Sequence, residues 1–134
     1  MKSTPCYCIN LRNAANAATK IYDAHLQPYG ITIRQYSLLK NLGAMGCASV
    51  TGLAGNVGLD RTSVVRIIRP LLQLGLIEDK SAKGARDKLL CLTKNGEDLV
   101  CLARNAWEAA QEDIEGRIGK DNMSWFVELL EALL

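Results

Sequence analysis

Two cysteines near the N-terminus, Cys6 and Cys8, are of a type that supports covalent chemistry. A thiol reacts as its thiolate, which a helix N-terminus or a neighbouring cation favours. We expect a first helix capped by Thr4, with Pro5 at its first position, so that Cys6 lies in the first turn. Arg12 lies four residues beyond Cys8. The pair predicts a redox-active thiol or, alternatively, two small apolar side chains packed at an interface.

These cysteines do not predict a metal site or an enzyme. Residues two apart on a helix diverge by about 200°, so Cys6 and Cys8 are poorly placed to chelate. The single histidine, His25, lies several turns away, and no zinc-type spacing occurs. We therefore expect no metal and no cofactor. The alternative of a thiol peroxidase or reductase lacks a general base and oxyanion donors in the sequence.

The other three cysteines are Cys47, Cys91 and Cys101. We expect Cys47 in a loop, and Cys91 and Cys101 as packing residues of a strand and a helix. Any of them could resolve a sulfenic acid as a disulfide, and the sequence does not choose among them. Five irregularly spaced cysteines are not typical of a secreted disulfide framework, so we expect a reducing, cytoplasmic compartment.

The segment GLDRTSVVRIIRPL, residues 58–71, predicts a helix that Asp60 caps and Gly75 ends. Its opposite faces differ, because one is apolar and the other carries arginines and hydroxyls without any acid. Arginine can donate two hydrogen bonds to guanine, and hydroxyls reach bases or phosphates. The apolar stripe comprises Val64, Ile67, Ile68, Leu71 and Leu74.

A basic hairpin tip after this helix favours DNA binding over the alternative, a solvated basic helix. The expected DNA contacts are Arg61, Thr62, Ser63, Arg66 and Arg69 in the major groove, and Lys83 and Arg86 from the hairpin. The net charge is only +2, so affinity must come from this local clustering.

The whole chain has 134 residues, enough for one domain with its own core, and 49% of them are apolar. The N-terminal MKSTPCYC lacks the apolar stretch of a signal peptide, and no apolar run could span a membrane. We therefore expect neither export nor membrane association.

Hydrophobic periodicity predicts six helices and one hairpin, a mainly α fold with a small β-wing. Thr32, Ser49 and Thr93 are expected to cap the second, third and fifth helices, Gly43 to end the second, and AMGCA to form a loop. Asp121 or Asn122 would cap the last helix. The expected strands are residues 76–77 and 90–93. This order is that of a winged helix-turn-helix.

Three stretches in this order resemble MarR-family winged-helix regulators over nearly the whole chain: LRNAANAATKIYDAHLQPYGITIRQYSLLKNL, LAGNVGLDRTSVVRIIRPLLQLGLIE and LLCLTKNG. The resemblance implies a single MarR-like chain, 1–134, that forms an intertwined homodimer on a pseudopalindromic DNA operator. Residues 5–30 and 94–134 would be dimerisation helices, and 32–93 the DNA-binding lobe. Such regulators usually repress until a small ligand or oxidation releases them.

Apolar residues in the terminal segments favour a dimer independently, because one small domain cannot cover them all. They are Trp107, Ile114, Trp125, Phe126, Leu129, Leu130, Leu133 and Leu134.

The resemblance also implies effector sites. Cys8 lies where the hydroperoxide-sensing OhrR branch has its reactive cysteine, and Tyr22 where that branch has a tyrosine that hydrogen-bonds it. The second such tyrosine position is Ile33 here. The family binds small aromatic acids between the dimer helices and the DNA-binding lobe. The residues that could line such a pocket, or could be ordinary core, are Arg12, Tyr22, His25, Tyr29 and Tyr36. His25 could also interact with the C-terminal dipole of its helix.

The wing departs from the family pattern. The family has an aspartate two residues before the arginine that corresponds to Arg86, and this position is Gly84 here. Asp87 is the candidate to replace the ion pair that braces the wing.

Overall fold

The computed structural model describes residues 4–134, which form six α-helices, two 3-10 helices and three short strands. The helices are α1 (Tyr7–Leu26), α2 (Ile33–Met45), α3 (Val50–Val57), α4 (Arg61–Gln73), α5 (Lys94–Ile118) and α6 (Met123–Glu131). The strands are β1 (Cys47–Ser49), β2 (Ile77–Asp79) and β3 (Leu89–Leu92). The 3-10 helices, Gln27–Tyr29 and Lys120–Asn122, precede α2 and α6. The predicted mainly α fold with a β-wing is confirmed.

Side-chain caps begin four of the helices, as the sequence predicts. The hydroxyl of Thr32 accepts from the N–H of Gln35, whose side chain accepts in return from the N–H of Thr32. The side chains of Ser49, Asp60 and Thr93 cap α3, α4 and α5 by accepting from the backbone N–H groups of Gly52, Ser63 and Gly96, without a return hydrogen bond. Each cap satisfies an N–H group that has no partner within its helix.

Two predicted helix boundaries are wrong, and one predicted cap lacks its side-chain hydrogen bond. The backbone of Cys6 is extended, with ψ 109°, so α1 begins at Tyr7, and Cys6 is its N-cap residue rather than part of the first turn. Gly43 does not end α2, which continues to Met45 and stops at Gly46, where φ is +82°. The side chain of Asn122, at the N-cap of α6, makes no cap and donates to the carbonyl of Ile118.

The strands form one antiparallel sheet in the order β1-β3-β2, so the wing has a third strand. The sequence placed AMGCA in a loop, but Cys47–Ser49 pairs with β3, and Cys47 lies opposite Cys91. These two residues form a disulfide. The expectations of a loop position for Cys47 and a simple packing role for Cys91 are therefore wrong.

The core lies where α2, α3 and α4 meet the sheet. It is formed by fully buried side chains, among them Leu39, Leu42, Leu53, Val64, Leu71 and Leu90. Leu74 was expected in this stripe but is 57% exposed, because the helix ends at Gln73 and the chain turns at Gly75 with φ +71°. Of the described helices, none is both long and apolar enough to cross a membrane.

The terminal helices leave much apolar surface uncovered. No residue of α6 is buried, and Trp125, Leu129 and Leu133 are 63%, 48% and 68% exposed. A groove between the start of α1 and the end of α6 is lined by Tyr7, Asn10, Leu11, Ala14, Leu129 and Leu133. Apolar patches of this kind mark interaction surfaces.

Gly96 is the position where the fold tolerates a side chain least. A Cβ at Gly96, in the first turn of α5, would lie 2.0 Å from the carbonyl oxygen of Leu76. We expect Gly96→Ala to lower the free energy of unfolding by about 1–3 kcal/mol, because backbone must shift to admit the methyl group. Urea unfolding followed by circular dichroism measures it. The matched control is Gly55→Ala in α3, which meets no atom within 4 Å. Equal stability of the two variants would contradict the close approach.

Candidate nucleic-acid interface

The start of α4 is fixed by Asp60. Its carboxylate accepts hydrogen bonds from the backbone N–H of Ser63, at 2.7 Å, and from the Ser63 hydroxyl, at 3.1 Å. These hydrogen bonds lower the pKa of Asp60. Because the Ser63 hydroxyl serves this cap and its side chain is half-buried, Ser63 is the least available of the predicted DNA contacts.

The outer face of α4 is cationic, whereas its inner face is buried. Arg61, Thr62, Arg66 and Arg69 are exposed along the outer face, and Val65 adds an apolar group that is 37% exposed. No residue of α4 itself is acidic, and the capping Asp60 precedes its first turn. Four of the five residues predicted to contact the major groove are thus exposed on one face of α4, and the fifth, Ser63, is engaged in the cap.

Between α4 and the wing lies a cleft of about 160 Å³ in which four cations converge. Apolar side chains of Val50, Val65, Ile68 and Leu72 form its floor, and its cations are Arg61, Arg69, Arg86 and Lys88. Lys83 is exposed at the wing tip and does not line the cleft. Lys88, another cation of the basic hairpin, lines the cleft beside Arg86.

A small polar network ties the wing to the start of α3 and of α4. The Thr51 hydroxyl donates to Asp87 at 3.1 Å and accepts from Arg61 at 3.0 Å, and the Arg61 guanidinium lies 3.6 Å from Asp87. Burial alone would raise the pKa of Asp87, but the hydrogen bond from Thr51 and the charge of Arg61 hold it below its ordinary value. Asp87 therefore supplies an ion pair to the wing, which Gly84 cannot do, as the sequence suggested.

The N-terminal thiols lie far from this interface in sequence. Cys6 and Cys8 are exposed and free, as is Cys101. Tyr22 follows Cys8 by fourteen residues on α1, about 21 Å along the axis, so within one chain it does not contact either thiol. Its hydroxyl instead donates to the side chain of Gln111 on α5.

A second cavity lies where α1, α2 and α5 meet. Among the predicted ligand residues it brings together Tyr22 and Tyr36. Burial raises the pKa of each phenol, so both hydroxyls stay neutral donors at ordinary pH. Trp107 stacks on Tyr36 with ring centroids 6.3 Å apart, and the Lys40 ammonium lies 4.2 Å from the centre of the Trp107 ring. The other lining residues are Ile33, Ser37 and Asn41.

The other three predicted ligand residues do not line this cavity. Arg12 is exposed on the first half of α1, and Tyr29 is exposed in the 3-10 helix that follows. His25 lies in the last turn of α1, and its Nε2 is 3.2 Å from the Asp113 carboxylate. Within residues 4–134, no three histidine, cysteine or acidic side chains are grouped to hold a metal ion.

A helix-turn-helix from α3 and α4, followed by a stranded wing, defines a winged-helix protein. Residues 31–82, which run from just before α2 through α3 and α4 into the wing, match the model of the MarR family. Over that stretch the chain is similar to MarR-family proteins.

Solved structures of this fold match nearly the full length. The Mycobacterium tuberculosis transcriptional regulator MosR, in complex with DNA, is 25% identical with a TM-score of 0.76, covering 96% of this chain and 98% of that one. A MarR variant from Escherichia coli complexed with operator DNA is 17% identical with a TM-score of 0.82, covering 92% and 90%. A Rhodococcus regulator of the MarR family is 21% identical with a TM-score of 0.77, covering 97% and 96%. No curated protein matches the chain.

Proposed function

We propose that this chain is a sequence-specific DNA-binding transcriptional regulator, a repressor that acts in the cytoplasm as a homodimer. The observation that carries the proposal is the convergence of four cations from α4 and the wing on one cleft beside an acid-free helix face. The MarR-family match and the DNA complexes of similar folds support it. Catalysis is no part of the proposal, since the members of this family named above are regulators.

In this proposal the outer face of α4 enters the major groove. Arg66 and Arg69 would reach guanine edges, Thr62 would contact a base or phosphate, and Val65 could meet a thymine methyl. Arg61 and the half-buried Ser63 would contact the groove's edge near the helix N-terminus. Arg86 and Lys88 would bind backbone phosphates beside α4, and Lys83 would extend from the wing tip towards the minor groove.

The dimer in this proposal is built from residues 5–30 and 94–134, and residues 32–93 form each DNA-binding lobe. The exposed apolar side chains of α6 and of the first turns of α1 support this division. Two lobes related by a two-fold axis would read a pseudopalindrome whose half-sites are one DNA turn apart, about 34–36 Å.

Two effectors are proposed for release from DNA. A small aromatic acid is proposed for the cavity that Tyr22, Tyr36 and Trp107 line, because the Tyr36 phenol can donate a hydrogen bond and the Lys40 ammonium supplies a cation. A hydroperoxide could oxidise Cys8 or Cys6, which are both exposed. Cys8→Ser and Tyr36→Phe would separate these routes, since each abolishes the response to one effector only.

The proposed function is tested by selection from duplexes with a random central region. We expect the dimer to enrich a motif of two inverted half-sites with centres about 10–10.5 base pairs apart. The control is the Arg61→Ala, Arg66→Ala, Arg69→Ala variant, whose folding circular dichroism verifies. Absence of enrichment with the wild-type chain, or equal enrichment by the control, would contradict sequence-specific reading.

Removal of Asp87, the carboxylate that pairs with Arg61, is expected to weaken discrimination between DNA sequences. Asp87→Ala frees the Arg61 guanidinium from the wing, so it can bind a phosphate and steepen the slope of log K against log salt by about 0.9. Affinity for scrambled duplex should rise more than affinity for the selected duplex, as fluorescence anisotropy would show. The control is Asp98→Ala, which removes an acid from α5. An unchanged ratio of the two affinities would exclude this role for Asp87.

A further inference from the structure

Neither cysteine of the Cys47–Cys91 disulfide is proposed to contact DNA. The bond nevertheless joins the two ends of the segment that carries the proposed DNA contacts. The two cysteines lie directly opposite each other on β1 and β3, with Cα atoms 4.4 Å apart. The ring that the bond closes, residues 47–91, contains α3, α4, β2 and the wing tip. Every residue proposed to contact DNA lies inside it.

The two sulfurs differ in access. Cys47 is exposed at the start of β1, whereas Cys91 is only 3% exposed in the middle of the sheet. A reagent in solution therefore reaches Cys47 first, and Cys91 is its only partner across the strands. This is the arrangement of an attacked and a resolving cysteine.

A hydrogen bond holds the same two segments together. Thr51 lies four residues after Cys47, Asp87 lies four residues before Cys91, and the Thr51 hydroxyl donates to the Asp87 carboxylate. Without the disulfide, the three residues of β1 would be tied to the wing by strand pairing, by the burial of Ala48 against the core and by this exposed network. Short strands and exposed polar contacts open readily.

We propose that Cys47 and Cys91 are a redox modification site, a reversible thiol–disulfide pair that takes hydroperoxides as oxidant and dithiols as reductant, and whose oxidised form favours DNA binding. The proposal rests on the proposed function. Oxidation of this pair would strengthen DNA binding, whereas oxidation of Cys8 would release the DNA. The disulfide preorganises α4 and the wing, so less ordering remains when DNA binds.

The chemistry balances without a further reactant. The Cys47 thiolate attacks a hydroperoxide oxygen and breaks the O–O bond, giving a sulfenic acid and, after proton transfer, an alcohol. The Cys91 thiol then attacks the Cys47 sulfur, the S–S bond forms, and water leaves. In reverse, one thiol of a dithiol attacks the Cys47 sulfur and releases Cys91. The second thiol of the reductant then displaces Cys47 and leaves the reductant as its own disulfide.

The test uses the full chain with Cys6→Ser, Cys8→Ser and Cys101→Ser, which removes the free thiols that the structure describes. The matched control also carries Cys47→Ala and Cys91→Ala. Each protein is treated with a stoichiometric organic hydroperoxide or with dithiothreitol. The protein is then denatured, its free thiols are alkylated with iodoacetamide and mapped by mass spectrometry, and the affinity of a parallel native sample for the selected duplex is measured by fluorescence anisotropy.

We expect peroxide to protect both cysteines from alkylation. Reduction should weaken DNA binding by a factor on the order of ten. This is the loss expected if about a tenth of the reduced protein is in the conformation that binds DNA, and reoxidation should restore the affinity. The control should bind at the reduced level in both conditions. The redox cycle uses an unaltered pair, so the result does not depend on how well the control folds.

Thiols that stay alkylatable after peroxide would overturn the proposal, as would a disulfide whose formation leaves DNA affinity unchanged or lowers it. If neither redox state binds the selected duplex, the proposed function is wrong, and so is the proposed effect of the disulfide on DNA binding. Thiol mapping would in that case still report whether the pair itself cycles, so the two failures are distinguishable.

Discussion

The variant Leu129→Asp, Leu133→Asp is expected to be a folded monomer with almost no affinity for the selected duplex. Leu129 on α6 and Leu133 just after it are both exposed and line the groove beside α1, so neither belongs to the buried core of the single chain. Two carboxylates at an apolar interface would have to be buried without partners. Loss of the second lobe removes the gain of bivalent binding, and the affinity should fall by a factor on the order of 10²–10⁴.

Light scattering coupled to gel filtration measures the mass, and anisotropy the affinity. The matched control, Glu128→Gln with Glu131→Gln, changes two exposed positions of the same helix whose side chains are already polar. It should stay dimeric. A double aspartate variant that remains a dimer, or that binds as a monomer with undiminished affinity, would contradict the assignment of α6 to the interface.

The second large effect is expected at the outer face of α4. Arg66 is exposed there beside Thr62 and Arg69. If its guanidinium reads a base, Arg66→Ala should weaken binding to the selected duplex by about 1–3 kcal/mol and relax specificity at one position of each half-site. Binding to scrambled duplex should fall much less, because other cations there still meet phosphates.

The matched control for this prediction is Arg34→Ala, an exposed arginine of α2 outside the cationic cleft. It should bind the selected duplex like the unaltered protein. If Arg66→Ala lowers the affinities for selected and scrambled duplex equally, Arg66 is a phosphate contact. If neither affinity changes, Arg66 does not touch DNA.

Local chemistry is what made the fold predictable. Thr32, Ser49, Asp60 and Thr93 each precede a helix and cap it, since a short polar side chain can reach N–H groups only a few residues away. The outer face of α4 was equally predictable, because helical periodicity separates its residues from the buried face that contains Val64. Neither inference required knowledge of distant contacts.

Features that depend on distant contacts could not be read in the same way. Strand β1 has three residues, too few for a pattern, and forms only because β3, more than forty residues away, offers its edge. The Cys47–Cys91 disulfide follows from that pairing. The predicted ligand set separated for a similar reason. Tyr22 and Tyr36 line one cavity from two different helices, whereas His25, about one turn beyond Tyr22, pairs with Asp113 on α5 instead.

The central claim is that this chain reads DNA sequence through α4 and the wing. It is tested most directly by titrating the dimer onto the selected duplex and a scrambled one over a range of salt concentrations. The account predicts a steep fall of log K with log salt for both, about 0.9 for each phosphate neutralised, and tighter binding to the selected duplex at every concentration. Binding that ignores salt, or that does not distinguish the two duplexes, would contradict it.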